Sequence, residues 1–300
     1  METFVDRFAD APVRHVPPDA LTAVDQKILA VMRRYRLLDV PYLAALTGTP
    51  YRYLHERLKI LRASNNRYVN IVEIQRINRE AYRMRPLYFE LGVNGGHPEY
   101  TGTVKRLDHK AMEQHIFAEF EIGTLKHSYF ELIRRAEVLK HCPPETQDAD
   151  YPEAVPLSSG RRLWLDGHMF VLRAKENFYF FPGVEAETGS NRIKKSRTNP
   201  SQSSVEQKFE DNVDVIVNHI YKSHFGTQSI YFTYFCTPHV DIDLMIHTWT
   251  RVSERHPQTR NHVWFKVYTP RPTSQMVEEP FMRLAAKGAR EDFYLGGVNV

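Results

Sequence analysis

Cysteine is nearly absent. Cys142 and Cys236 are the only two in 300 residues, and neither has a second thiol near it in sequence, which argues against a disulfide framework and a thiolate zinc site. Long apolar runs are missing as well. No stretch approaches the roughly eighteen uninterrupted apolar residues that suggest a membrane span. The opening Met1-Glu-Thr-Phe-Val-Asp6 has no basic region ahead of an apolar one, so neither a membrane segment nor a secretory signal is expected, and the default expectation is a cytoplasmic protein. Charge of one sign is also modest, at +4 overall. What is present, 42% apolar and 12% aromatic residues, suffices for sizeable cores in one large domain or two ordinary ones.

The small basic excess is concentrated. Residues 1–90 hold fifteen Lys and Arg against ten Asp and Glu, more than the whole net charge, and a basic segment at one end of a chain points to a polyanion-binding module there. After an extended arm over residues 1–18, ending in Val16-Pro17-Pro18, the pattern turns helical. Asp19 or Thr22 caps a first amphipathic helix carrying Ile28, Val31 and Met32. Asp39 caps a second, short one with Pro41 in its first turn, and Gly48-Thr-Pro50 stops it. The third helix, Tyr51 to Arg62, puts Leu54, Leu58 and Leu61 on one face. Its other positions, Arg52, Tyr53, Arg57 and Lys59, are then free to meet phosphates and base edges. Strand-like runs at Tyr68-Val-Asn-Ile-Val72 and Arg85-Pro-Leu-Tyr-Phe-Glu-Leu91 follow, adding Arg67 and Arg76. Helix, short helix, Gly-containing turn, helix and two strands is the order of a winged helix-turn-helix over residues 19–92. The blander reading is a small packing or dimerisation domain. Residues 93–106 read as a linker.

Residues 107–300 read as a mixed α/β or α+β domain, with helices near 107–126, 205–220 and 241–254, strands near 229–236 and 263–268, and a last short helix near Phe281. The first of these helices reads as amphipathic, with Glu113 or Gln114 on its polar face and Met112, Ile116 and Phe120 on its apolar one; His115 and Glu119 lie one turn apart, with His115 expected at the surface or at a cap. The centre of the domain is the stretch 163–190, two aromatic and aliphatic runs around Lys175-Glu-Asn177, which predicts a buried β-hairpin. It carries Asp166, Glu185 and Glu187. Alternation along a strand puts Glu185 and Glu187 on one face, and a hairpin could bring Asp166 beside them. Carboxylates in an apolar strand call for a metal ion, a lysine or a shared proton. The basic run after them, with Arg192, Lys194, Lys195 and Arg197, either is a solvated loop or holds a nucleic-acid backbone over the site.

Taken together, the winged-helix opening Asp25-Gln-Lys-Ile-Leu, the helix end Arg57-Leu-Lys-Ile-Leu, the strand Leu87-Tyr-Phe-Glu-Leu, the segment Leu165-Asp166-Gly, the segment Val184-Glu-Ala-Glu-Thr-Gly189 and the helix with Lys208 make the chain resemble the replication-relaxation family of plasmids, phages and mobile elements. The resemblance implies a winged helix joined to a restriction-endonuclease-like (PD-(D/E)xK-type) domain. It also implies a role in replication initiation or control, or in DNA mobilisation. It would make Asp166, Glu185 and Glu187 the acidic, magnesium-binding site and Lys208 its basic partner. One departure weighs against cleavage: Glu187 stands where that motif has lysine, so the ammonium that would stabilise an attacking hydroxide has to come from Lys208.

The leading expectation is a double-stranded-DNA-binding protein, its second domain adding contacts or a homodimer interface. The alternatives are a magnesium-dependent DNA endonuclease and an interaction protein that targets a host factor such as a replication protein.

Overall fold

Thr22 starts the first helix by a reciprocal cap. Its hydroxyl accepts from the Asp25 amide at 3.2 Å while the Asp25 carboxylate accepts from the Thr22 amide at 2.8 Å, which satisfies two of the donors that a helix start leaves open. The computed structural model describes residues 15–35, 37–72, 88–96, 107–127, 130–133, 135–152, 154–165, 171–174, 179–180, 182–187, 204–285 and 287–295. The chain divides into two units, residues 1–122 with 270–273, and residues 123–269 with 274–300.

The first unit opens with α1 (Ala23–Arg34), whose Ile28, Leu29, Val31 and Met32 are buried, followed by β1 (Leu38–Asp39), α2 (Val40–Thr47) and α3 (Tyr51–Arg62). Asp39 caps α2 by accepting from the Tyr42 amide at 3.3 Å. Gly48 ends α2 in the left-handed region at φ 64°, a conformation that costs glycine little and other residues more. Strands β2 (Val69–Val72) and β3 (Tyr88–Leu91) pair antiparallel, and β3 also pairs with β1, so the sheet order is β1-β3-β2. At the exit of β3, a Cβ on Gly92 would stand 2.3 Å from the Arg67 carbonyl oxygen, so a side chain there would force the turn before β2 to move. Residues 15–17 dock on that turn: the buried Asn66 side chain accepts from the Val16 amide and donates to the Ile60 carbonyl, both at 2.7 Å.

Helix α4 (Leu107–Lys126) differs from the amphipathic expectation. Residues 110–121 are all buried, including Lys110, Glu113, Gln114, His115, Glu119 and Glu121. The polar groups are tolerated because partners meet them. Lys110 pairs with Glu113 at 2.6 Å, Glu121 accepts from Arg34 at 2.7 Å and from the Tyr35 hydroxyl at 2.6 Å, and Glu119 accepts from the Tyr42 hydroxyl and, at 2.8 Å, from the Arg271 amide. His115, expected at the surface, is instead stacked between Tyr42 and Tyr88, with ring centroids 4.1 and 5.5 Å away.

In the second unit, β4 (Phe130–Ile133), α5 (Arg135–His141), α6 (Pro144–Gln147), β5 (Ala154–Pro156), β6 (Arg162–Trp164), β7 (Val171–Ala174), β8 (Tyr179–Phe180) and β9 (Pro182–Glu187) precede α7 (Val205–Val217) and α8 (Ile220–Phe225). Then come β10 (Tyr231–Cys236), α9 (Ile242–Val252), β11 (Val263–Val267), α10 (Gln275–Glu278), β12 (Phe281–Leu284) and β13 (Arg290–Phe293). The main sheet has the order β13-β12-β11-β10-β9. Strands β9, β10 and β11 are parallel, and β12 and β13 antiparallel. Parallel neighbours need a crossover, and α7 and α9 lie in the two. Phe209, Val213 and Ile216 of α7 and Met245, Ile246 and Trp249 of α9 share one core with Phe232, Tyr234 and Cys236 of β10. A separate aromatic group, with Phe235 against Tyr268 and Phe281, and Trp264 against Phe281 and Phe293, joins β10, β11, β12 and β13.

The fold is therefore mixed α and β, but two local expectations are corrected. The stretch 163–190 is not one hairpin, although β7 and β8, on either side of Lys175-Glu-Asn177, do pair antiparallel as expected there. Its described residues serve three sheets: β6 pairs with β5, β7 pairs with β8 and β4, and β9 joins the main sheet beside β10. The apolar alternation marked strands and, for β7 with β8, the pairing across 175–177; it did not give the partners of β6 and β9, or the second partner of β7. The last helix expected at Phe281 is β12, where Phe281 and Leu284 are buried and the chain pairs on both sides, a case of sheet context overriding the helix propensity of Leu and Ala.

Candidate functional site

Two groups of residues stand out, one in each unit. In the first, α3 places Leu54, Leu58 and Leu61 in the core and turns Tyr51, Arg52, Tyr53 and Glu56 to solvent. Tyr51 and Tyr53 are 51% and 47% exposed, unusual for tyrosines on a helix whose other face is fully buried. Lys59 is partly exposed and lies 3.4 Å from Glu56, one turn back. Arg67 projects from the turn before β2, an exposed residue at φ 50°.

Arg57 does not join them. Its Nε and Nη2 donate to the two oxygens of Asp25 at 2.8 and 2.6 Å. Asp25 is fully buried. Burial by itself would raise its carboxyl, but hydrogen bonds from Arg57 and Thr22 outweigh that and hold it below the usual carboxylate range. Arg57 is thus a strut between α3 and α1, not part of the outward face that the helical spacing gave it.

In the second unit, strand alternation on β9 turns Glu185 and Glu187 to the same side as Tyr234 and Cys236, their partners in the parallel pair with β10. That is the side facing α7. Glu185 is 0% and Glu187 2% exposed. Ser204 caps α7 by accepting from the Gln207 amide at 3.1 Å, and the first turn delivers Lys208. Its Nζ lies 2.5 Å from Glu185 Oε2 and 3.5 Å from Glu187 Oε1. One turn further on, Asn212 Nδ2 donates to the Tyr234 hydroxyl at 2.9 Å. Burial, and then the charge of Glu185, push the Tyr234 phenol well up from its ordinary value, so it stays protonated. Burial, followed by Glu187, raises the Cys236 thiol likewise.

Asp166, Arg192, Lys194, Lys195 and Arg197 lie outside the described residues, as does Arg76. Glu185, Glu187 and Lys208 are brought together; the structure says nothing about Asp166 beside them. Among the described residues no group of three His, Cys, Asp or Glu side chains could hold a metal ion, and no helix is long and apolar enough to cross a membrane.

The chain matches no family model and no curated protein.

The sequence reading missed Asn212 and Tyr234. Asn212 carries a usable signal, since it lies four residues after Lys208 on one helix and so on the same face. Tyr234 required knowledge that β9 and β10 are neighbours in parallel register. Asp39 was read as a cap only, yet burial pushes its carboxyl up to about 7, while the same effect holds the His115 imidazole down at about 3.

Chemically, the second group sets two buried carboxyl groups beside one ammonium. The first can offer cations and aromatic edges to a polyanion.

Proposed function

We propose that the first unit is a winged helix that binds double-stranded DNA and inserts α3 in the major groove. The element order α1-β1-α2-α3-β2-β3 with sheet order β1-β3-β2 supports it. The observation that carries it is the division of α3, with three leucines sealed in the core and Arg52, Tyr53 and Lys59 left toward solvent. Arg67 adds a backbone contact from the turn before β2. The family resemblance extends this reading to a role in control or initiation of replication, or in mobilisation, for a plasmid, phage or other mobile element.

Selection from a random duplex library, followed by fluorescence anisotropy, tests the proposal. Arg52→Ala with Lys59→Ala is expected to weaken binding about 10-fold or more. It should also lower the slope of log affinity against log salt by about one for each phosphate contact removed. Unchanged affinity and slope would refute it. Arg57→Ala is the control: it should lower stability and leave the slope of the folded fraction unchanged.

The common face of Glu185 and Glu187 on β9 is what a second reading rests on, hydrolysis of the phosphodiester backbone with magnesium bound by the carboxylates. Cleavage that requires magnesium and disappears in Glu187→Gln separates it from binding alone.

A further inference from the structure

We propose that the Lys208 ammonium is the resident cation of the Glu185 and Glu187 pair, holding the place that a divalent metal ion would otherwise take. The inference concerns the second unit alone and does not depend on DNA binding by the first.

Three observations carry it. The carboxylates are 0% and 2% exposed, so water does not compensate their mutual repulsion, and a cation within reach of both is the arrangement that stabilises both charges. Lys208 Nζ is that cation, at 2.5 Å from one and 3.5 Å from the other. Its side chain is 14% exposed, and the bond from Asn212 to Tyr234 one turn further along α7 fixes the helix against β10. The lysine is thus mostly buried against the pair.

A magnesium ion binds carboxylate oxygens at about 2.0–2.1 Å and keeps near-octahedral geometry. It could not share the Glu185 oxygen with an ammonium already 2.5 Å away without strong like-charge repulsion. With lysine in place the pair should ignore divalent ions. Without it, the same oxygens become an empty cation site. The inference bears directly on the second reading above, because metal-assisted hydrolysis at these carboxylates would first require Lys208 to leave.

The test is a titration of the full chain with Mn²⁺, read by electron paramagnetic resonance for bound ion and by thermal melting. Wild type is expected to show no bound Mn²⁺ that depends on Glu187 and no change in melting temperature. Lys208→Met is expected to melt about 10 °C lower, to bind Mn²⁺, and to regain most of the lost melting temperature at millimolar Mn²⁺. Lys208→Arg should behave as wild type. Wild-type Mn²⁺ binding that is abolished by Glu187→Gln overturns the proposal, as does a Lys208→Met protein indifferent to Mn²⁺. Should Lys208→Met fail to fold even with Mn²⁺, the triple variant Glu185→Gln/Glu187→Gln/Lys208→Met decides. Its folding supports the proposal, since the ammonium is then needed only by the carboxylates, and its failure to fold overturns it.

Discussion

Arg57→Ala is expected to cost the first unit about 3–5 kcal/mol, measured by urea denaturation, because it strands a fully buried carboxylate. Both nitrogens that hold Asp25, at 2.8 and 2.6 Å, come from this one side chain. Removing them leaves, among the described residues, the Thr22 amide and hydroxyl, at 2.8 and 2.7 Å, as donors to Asp25. The carboxyl would then respond to burial by rising toward neutrality, so the variant should regain stability on acidification where wild type loses it. Asp25→Asn/Arg57→Met, which removes the charge and its partner together, is expected to recover most of the loss. If Arg57→Ala costs less than about 1 kcal/mol, the range of an exposed surface pair, the strut assignment fails and Arg57 returns to the candidate DNA-binding residues.

The second large effect comes from two buried groups displaced in opposite directions. Asp39 has a folded value of about 7 against about 3.9 unfolded. Between those values the folded state keeps a proton that the unfolded chain gives up, so stability falls as pH rises through that window. His115 has a folded value of about 3 against about 6.5 unfolded. There the unfolded chain takes a proton that the folded state refuses, so stability falls as pH drops from about 6.5. Each full shift is on the order of 4 kcal/mol. From about pH 4 to 6.5 the two slopes nearly cancel, which predicts a flat contribution in wild type.

Single variants expose what the pair conceals. Asp39→Asn keeps a competent helix cap and leaves His115 unopposed, so relative to wild type it should lose stability steadily as pH falls from about 7 to 4. His115→Phe keeps an aromatic ring between Tyr42 and Tyr88 and leaves Asp39 unopposed. It should lose stability, again relative to wild type, as pH rises from about 3 to 6.5. Differences against wild type remove the shared background of the neighbouring carboxylates Asp25, Glu119 and Glu121. Two difference curves of the same sign, or two flat ones, would contradict the assignment.

How much of this was legible depends on how local each feature is. The cap at Asp39, Thr22 as one of two candidates for the cap of α1, the leucine face of α3 and the common face of Glu185 and Glu187 follow from spacing alone, and all are found. Pairing between distant segments does not follow. Apolar alternation around 175–177 gave the antiparallel pair of β7 with β8, but β6, β7 and β9 also found partners at 154–156, 130–133 and 231–236, none of which the hairpin pattern contains. Helix α4 misled in a related way. Its polar residues looked like a solvated face, and Arg34, Tyr35, Tyr42 and Arg271, all distant in sequence, are what meet Glu119 and Glu121 in the interior. Arg57 sits on the correct helix but faces α1, because Asp25 is available there to receive it.

The central claim is that the outer face of α3 meets duplex DNA. A photo-crosslinking amino acid placed at Tyr53 in the full chain tests it most directly, with the same label at the exposed Leu125, on a different helix, as the comparison. The prediction is a covalent adduct from position 53 that a competing duplex suppresses, with little from position 125. Labelling of DNA from position 125 but not from position 53 would contradict it.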